Sequence, residues 1–267
     1  MANPNSCNGV FFTRRTPVAT TLFPIFAAME VLPTANFQPD IVLAGLRIGE
    51  PVIALTSILV SMVCFYAWVR LKAEGDDALK LSRIFFLATG ISTFIGSLVG
   101  HAFLYAFPFA FKLPGWAMGM IAVSALEQAA VVKTRSIIGA KNARALFFLN
   151  ITTLTIGLWF LSATLWFPVV EIHSAFGLLL VVAPLEILLW VKTRAQGSRE
   201  ILLGILLLVG AVVAHILKIS FGPWFCFFDV AHLFMAAAMW KIMQGAERHH
   251  LDQQYAAQLT MVNQQTN

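Results

Sequence analysis

Five ionisable side chains, Glu50, His101, His215, Asp229 and His232, lie inside long apolar runs of this sequence. A charged group in hydrocarbon costs about 2.5–3.5 kcal/mol on insertion scales, so ionisable residues kept there face one another and carry function. Their spacing is suggestive. Asp229 and His232 are three residues apart, which puts both on one face of a helix, where they can chelate an ion or form a hydrogen-bonded dyad. Ser97 and His101 are four apart and share a face in the same way, between Gly96 and Gly100, which permit close helix approach. Two imidazoles and a carboxylate, His101, His232 and Asp229, make a donor set suited to zinc or a related divalent ion, with His215 as a further ligand. Ser97 or Glu50 would then position or deprotonate a metal-bound water whose pKa falls to about 7, a nucleophile for ester or amide bonds.

The same residues support plainer readings. His101 can meet a carboxylate while Ser97 bonds the carbonyl one turn back, Arg47 can pair with Glu50 three residues on, and Asp229 with His232 can belong to a buried salt-bridged network. His101 with His215 or His232 would also suit the axial positions of a haem. Glu127, Ser124, Gln128 and Glu186 lie deeper and pair with basic loop residues or mark a polar path, while Glu171 and His173 read as interfacial.

The elements that position these groups are helices in a bilayer. Apolar residues make up 59% of the chain, charged residues 12%, and the mean hydropathy is +0.79, far from soluble composition. Apolar runs of about 20 residues match the hydrocarbon thickness at helical rise. They do not alternate as barrel strands do. The expected fold is all-α, a polytopic bundle of seven transmembrane helices at about 41–71, 81–107, 113–132, 145–163, 166–191, 201–219 and 224–243. Residues 1–40 form an extracytoplasmic segment or a cleaved signal led by Arg14 and Arg15, and 244–267 a polar, fraying cytoplasmic tail. The 41–243 domain has no internal linker. Cys7, Cys64 and Cys226 are too scattered for a disulfide framework or a thiolate metal site.

Thirteen of the 18 lysines and arginines fall at one end of the spans, among them Arg70, Lys72, Lys80, Lys133, Arg135, Lys141, Arg144, Lys192 and Arg194. By the positive-inside rule the N-terminus is outside and the C-terminus cytoplasmic, in a plasma or inner membrane. The pI of about 9.3 reflects this clustering at helix ends, not a nucleic-acid stripe. With that orientation the five buried groups share a depth of roughly 6 to 14 Å below the outer surface.

Seven helices, Glu50-Pro51 in the first, Ser97-Leu98-Val99-Gly100-His101 in the second and Asp229-Val230-Ala231-His232 in the seventh together resemble the CREST superfamily of alkaline ceramidases, progestin and adiponectin receptors and bacterial relatives. The resemblance covers nearly all seven spans and rests on few residues, of which the Ser-x-x-x-His element is the most specific. It implies a zinc ion held by His101 and His232, Ser97 as a water-positioning group, and hydrolysis of a lipid amide or ester taken from the bilayer. The chain departs from the ceramidase pattern at Phe228, where the first histidine of His-x-x-x-His belongs, and it lacks the third-helix acid near Lys112. The expected activity is metal-dependent intramembrane hydrolysis. The competing expectation is a non-catalytic lipid-binding receptor or transport-like module with a buried polar network. Sequence leaves the substrate and the oligomeric state open.

Overall fold

The computed structural model describes residues 37–72 and 75–265, without the side chains of 252–265. Most of the expected N-terminal segment therefore lies outside the described residues. A short antiparallel hairpin, β1 (Ile41–Leu43) and β2 (Leu46–Ile48), is followed by seven helices: α1 (Pro51–Arg70), α2 (Asp77–Ala102), α3 (Leu113–Ile138), α4 (Ala140–Thr164), α5 (Pro168–Thr193), α6 (Gln196–Ile216) and α7 (Phe227–Gln265). The first six are long and apolar enough to cross a membrane.

Two boundaries differ from the sequence expectation for physical reasons. Residues 41–50 are not helical, because Ala44 and Gly45 both take positive φ and turn the chain back as a hairpin. The helix starts only at Pro51, where the missing N–H costs nothing. At the other end, α7 runs well past residue 243. The extension is held by side chains: Glu247 pairs with Arg70 at 3.0 Å, Arg248 with Glu200 at 3.0 Å, and His250 contacts Asp76 at 3.0 Å. The polar tail that was expected to fray is docked, at least through His250.

Helices α1, α2, α3, α5, α6 and α7 form a closed ring of neighbours, and α4 packs outside it against α3 and α5. Only Ala143, Asn150 and Leu161 of α4 are buried. The centre of the ring is filled by residues such as Val60, Phe86, Leu126, Val182, Ile201 and Ile242. The outside is apolar as well, with Met62, Val69, Trp159, Leu180, Leu206 and Val212 exposed. An aqueous surface would not carry so many large apolar side chains.

Small residues and hydroxyls join the helices, as is usual in bundles of helices apolar enough to cross a membrane. Ser57 donates to the Thr93 carbonyl at 3.0 Å, Ser61 to Gly90 at 2.8 Å and Ser92 to Gly115 at 2.7 Å, lacing α1 to α2 and α2 to α3. Helices α6 and α7 meet at Gly197 and Gly245, where a Cβ on either would sit 2.6 Å from the other's carbonyl oxygen. A larger residue must push the helices apart. Gly245→Val should therefore lower the thermal midpoint of the detergent-purified protein by an overpacking cost of about 1–3 kcal/mol. An unchanged midpoint in a fluorescence melt would contradict this close approach.

Candidate functional site

The buried polar residues come together where the starts of α1 and α7 meet the end of α2. Glu50 precedes α1 in a left-handed backbone conformation, φ 41°, unusual for a residue with a side chain and more so before proline. Strain of this kind persists only where surrounding contacts enforce it. Here they are explicit. The preceding Gly49 donates to the Ala102 carbonyl at 2.9 Å, Phe37 N–H donates to Glu50 Oε1 at 2.7 Å, and Glu50 Oε2 meets His101 Nδ1 at 2.7 Å. Arg47 does not pair with Glu50. It pairs with Asp40 and lies over the Tyr105 ring, 4.7 Å from its centroid.

His101 and Ser97 lie on the last turns of α2, where Gly96–Ala102 winds as a π-helix, a local form frequent at functional sites. Ser97 is fully buried and donates to the Ala54 carbonyl of α1 at 2.8 Å, so it joins helices. Its single hydroxyl hydrogen is used between the helices, so towards a water Ser97 could act only as an acceptor.

Asp229 is the most heavily bonded member. Its Oδ2 accepts from Cys226 N–H at 2.7 Å, the reach of an N3 acid back to the helix start, and from Gln38 Nε2 at 2.7 Å. Its Oδ1 accepts from the Thr56 hydroxyl at 3.1 Å. Thr56 Oγ1 also lies 3.1 Å from His232 Nδ1. The one Thr56 hydroxyl hydrogen is shared between Asp229 Oδ1 and the Ile53 carbonyl, also at 3.1 Å, so the assignment consistent with both has His232 Nδ1–H donating to Thr56. Asp229 and His232, the dyad expected from their spacing, are thus linked through a hydroxyl on another helix.

Sequence reasoning missed Gln38 and Thr56. Gln38 Oε1 accepts the N–H groups of Val52 and Ile53 at 3.0 and 3.1 Å, capping α1, while its Nε2 bonds Asp229 and the Trp224 carbonyl at 3.0 Å. No periodicity distinguishes a lone glutamine in a non-helical segment. Thr56 is one of several hydroxyl residues in the apolar run of α1, and nothing in its spacing marks it out.

Around Phe228 stand three half-buried imidazoles. Ring centroids of His101 and His215 lie 5.9 and 5.0 Å from that of Phe228, and His101 and His232 are 6.2 Å apart. Lys218 sits over Phe227, 3.9 Å from its centroid. His215 joins the cluster through these ring contacts.

The zinc site expected from His101, Asp229 and His232 is not assembled. Among the described residues no group of three or more His, Cys, Asp or Glu side chains is placed to hold a metal ion. The reason lies in the donors: three protein hydrogen bonds occupy Asp229, and Glu50 is held by Phe37 and His101. Zinc sites use at least three protein ligands, and the described donors do not fit one.

Breaking the Gln38 and Thr56 links tests this arrangement. Gln38→Leu and Thr56→Val each leave buried partners unsatisfied and should each cost about 1–3 kcal/mol, read as a lower thermal midpoint in detergent. Two wild-type midpoints would contradict the network.

Comparison with curated proteins and with solved structures gave no match. The sequence does match the model of a family of unknown function, DUF6962, over residues 52–250. That match takes in all seven helices in whole or large part, and the protein belongs to this family of unknown function.

Proposed function

We propose that the protein crosses the membrane seven times, N-terminus outside and C-terminus cytoplasmic, and that it binds the polar head of a membrane amphiphile at the His101, His215 and His232 cluster, without catalysis. The seventh crossing is supported by the apolar start of α7 and its packing along α6 and α1. The orientation is supported by the basic residues gathered at the opposite end of the bundle from the histidine cluster.

One observation carries the binding reading. His101 and His232 each have Nδ1 engaged, by Glu50 and by Thr56, and neither Nε2 has a partner among the described residues. When Nδ1 bears the proton, Nε2 of a neutral ring is an acceptor. Two such acceptors beside the Phe228 ring suit a head group that offers hydroxyl or amine hydrogens, with its chain in the surrounding lipid. Binding sites of this kind pair apolar walls with a few placed polar groups.

The likeness to CREST proteins supports the lipid class of the ligand. The hydrolase reading loses support from the engagement of Ser97, Glu50 and Asp229 in structural hydrogen bonds. His215 provides the cleanest test, since its contacts are ring contacts with Phe227 and Phe228. His215→Phe should keep the thermal midpoint and weaken binding of a long-chain amino alcohol by about tenfold, the equivalent of one good polar contact. His232→Leu should abolish that binding. Equal binding by wild type and both variants would overturn the proposal, as would stoichiometric zinc in the wild type that is lost in His101→Ala.

A further inference from the structure

A second buried acid lies deeper in the bundle, away from the histidine cluster. Glu127, in α3, is 1% exposed, and neither carboxyl oxygen has a hydrogen bond of ordinary geometry among the described residues, the Asn150 amide being its neighbouring donor. The adjacent stretch of α5, Phe176–Val182, is the second π-helical segment of the protein. Gly177 in that segment faces Glu127 so closely that a Cβ there would collide with Oε1 and would stand 2.6 Å from Val123 Cγ1. The missing side chain at 177 is the space that the carboxyl occupies.

The groups facing Glu127 do not neutralise it. One turn away, Ser124 donates to Asn150 Oδ1 at 2.6 Å, and the Asn150 amide returns to the Ser124 carbonyl at 3.2 Å, which leaves that amide one N–H for Glu127 and no charge to offset the acid. On α5 the buried titratable residues are His173, whose Nε2 lies 3.3 Å from the Met120 carbonyl, and Glu186, which pairs with Lys133 of α3, while Glu171 and Lys192 are exposed. The buried residues of α2 and α4 include no titratable side chain. Gln128, next to Glu127, has a buried and unpartnered Nε2, and Glu186 Oε2 is likewise unpartnered. The Lys133 and Glu186 side chains are 4% and 0% exposed, yet Lys133 also lines a cavity of about 580 Å³ at the basic end of the bundle, together with Asp76, Asp77, Arg135 and Ser136. Lys133, paired with Glu186, stands five and six residues beyond Gln128 and Glu127 on α3, roughly 8 to 9 Å at helical rise, on the side of that cavity.

An ionised carboxylate with a lone amide donor and no counter-charge is costly to bury, whereas the neutral acid costs far less. A sodium or divalent ion would need about six oxygen ligands, and one carboxyl with an amide does not supply them. A proton needs only the carboxyl. We infer that Glu127 is an intramembrane proton-binding site, seated in the space left by Gly177 and loaded from the basic-end cavity through the Lys133–Glu186 pair.

Infrared difference spectroscopy on the full-length protein in lipid nanodiscs tests this. The wild type should show the carbonyl stretch of a protonated carboxylic acid that moves on transfer to deuterium oxide. Glu127→Gln, which keeps the shape of the side chain, should lack that band. Identical acid bands in the two proteins would overturn the assignment. If the glutamine variant does not fold, the wild type alone decides through an apolar carbodiimide. The acid O–H adds across the C=N bond, the carboxyl oxygen joining carbon and the proton nitrogen, and rearrangement leaves a stable acylurea. Peptide mapping should find this adduct on Glu127 in yields that fall as pH rises, and no adduct would refute the site. For the loading path, Glu186→Gln should slow deuterium exchange of the wild-type band by about tenfold, and an unaltered rate would refute that path.

Discussion

The arrangement at the histidine-bearing end of the bundle depends on one buried carboxylate. Asp229 sits in the first turn of α7, where the helix dipole favours negative charge, and reaches back to the Cys226 N–H. Its other contacts extend this local cap into a junction. Gln38 joins Asp229 while capping α1, and Thr56 joins it from within α1. Two helix starts that are far apart in sequence thereby share one set of hydrogen bonds. Where little water reaches a buried helix end, such sharing answers the need of both for partners.

The neighbouring contacts follow from that junction. With α1 and α7 joined, Glu50 at the start of α1 is held against His101 at the end of α2, and His232 is held one turn along α7 against Thr56. The strained backbone at Glu50 and the π-helical end of α2 occur at this same contact. Residues that looked like a metal-binding set are used as helix caps and interhelical bridges. A carboxylate that caps a helix and accepts two side-chain donors is satisfied without an ion.

Both π-helical segments lie beside a buried acid, Gly96–Ala102 beside Glu50 and Phe176–Val182 beside Glu127. The two acids differ in what meets them. Glu50 is fully partnered by an N–H and an imidazole, and Glu127 is not. One carboxyl is structural, and the other remains open to chemistry at its oxygens.

Much of the fold was legible from composition and run length alone. Apolar runs of about 20 residues and basic residues clustered at helix ends identified the helical segments, because hydrocarbon thickness and helical rise constrain both. Spacing also placed Asp229 with His232, and Ser97 with His101, on shared faces, since those relations lie within one helix. Partners between helices were decided only by tertiary structure. Whether Glu50 meets Arg47 or His101, and whether Asp229 takes a metal or Gln38 and Thr56, depends on the rotation and approach of separate helices. The hairpin at 41–48 turned Arg47 towards Asp40, and the close contact of Gly197 with Gly245 held α7 along α6 beyond its apolar segment. Local periodicity records which face a residue occupies. It does not record what the facing helix will bring to it.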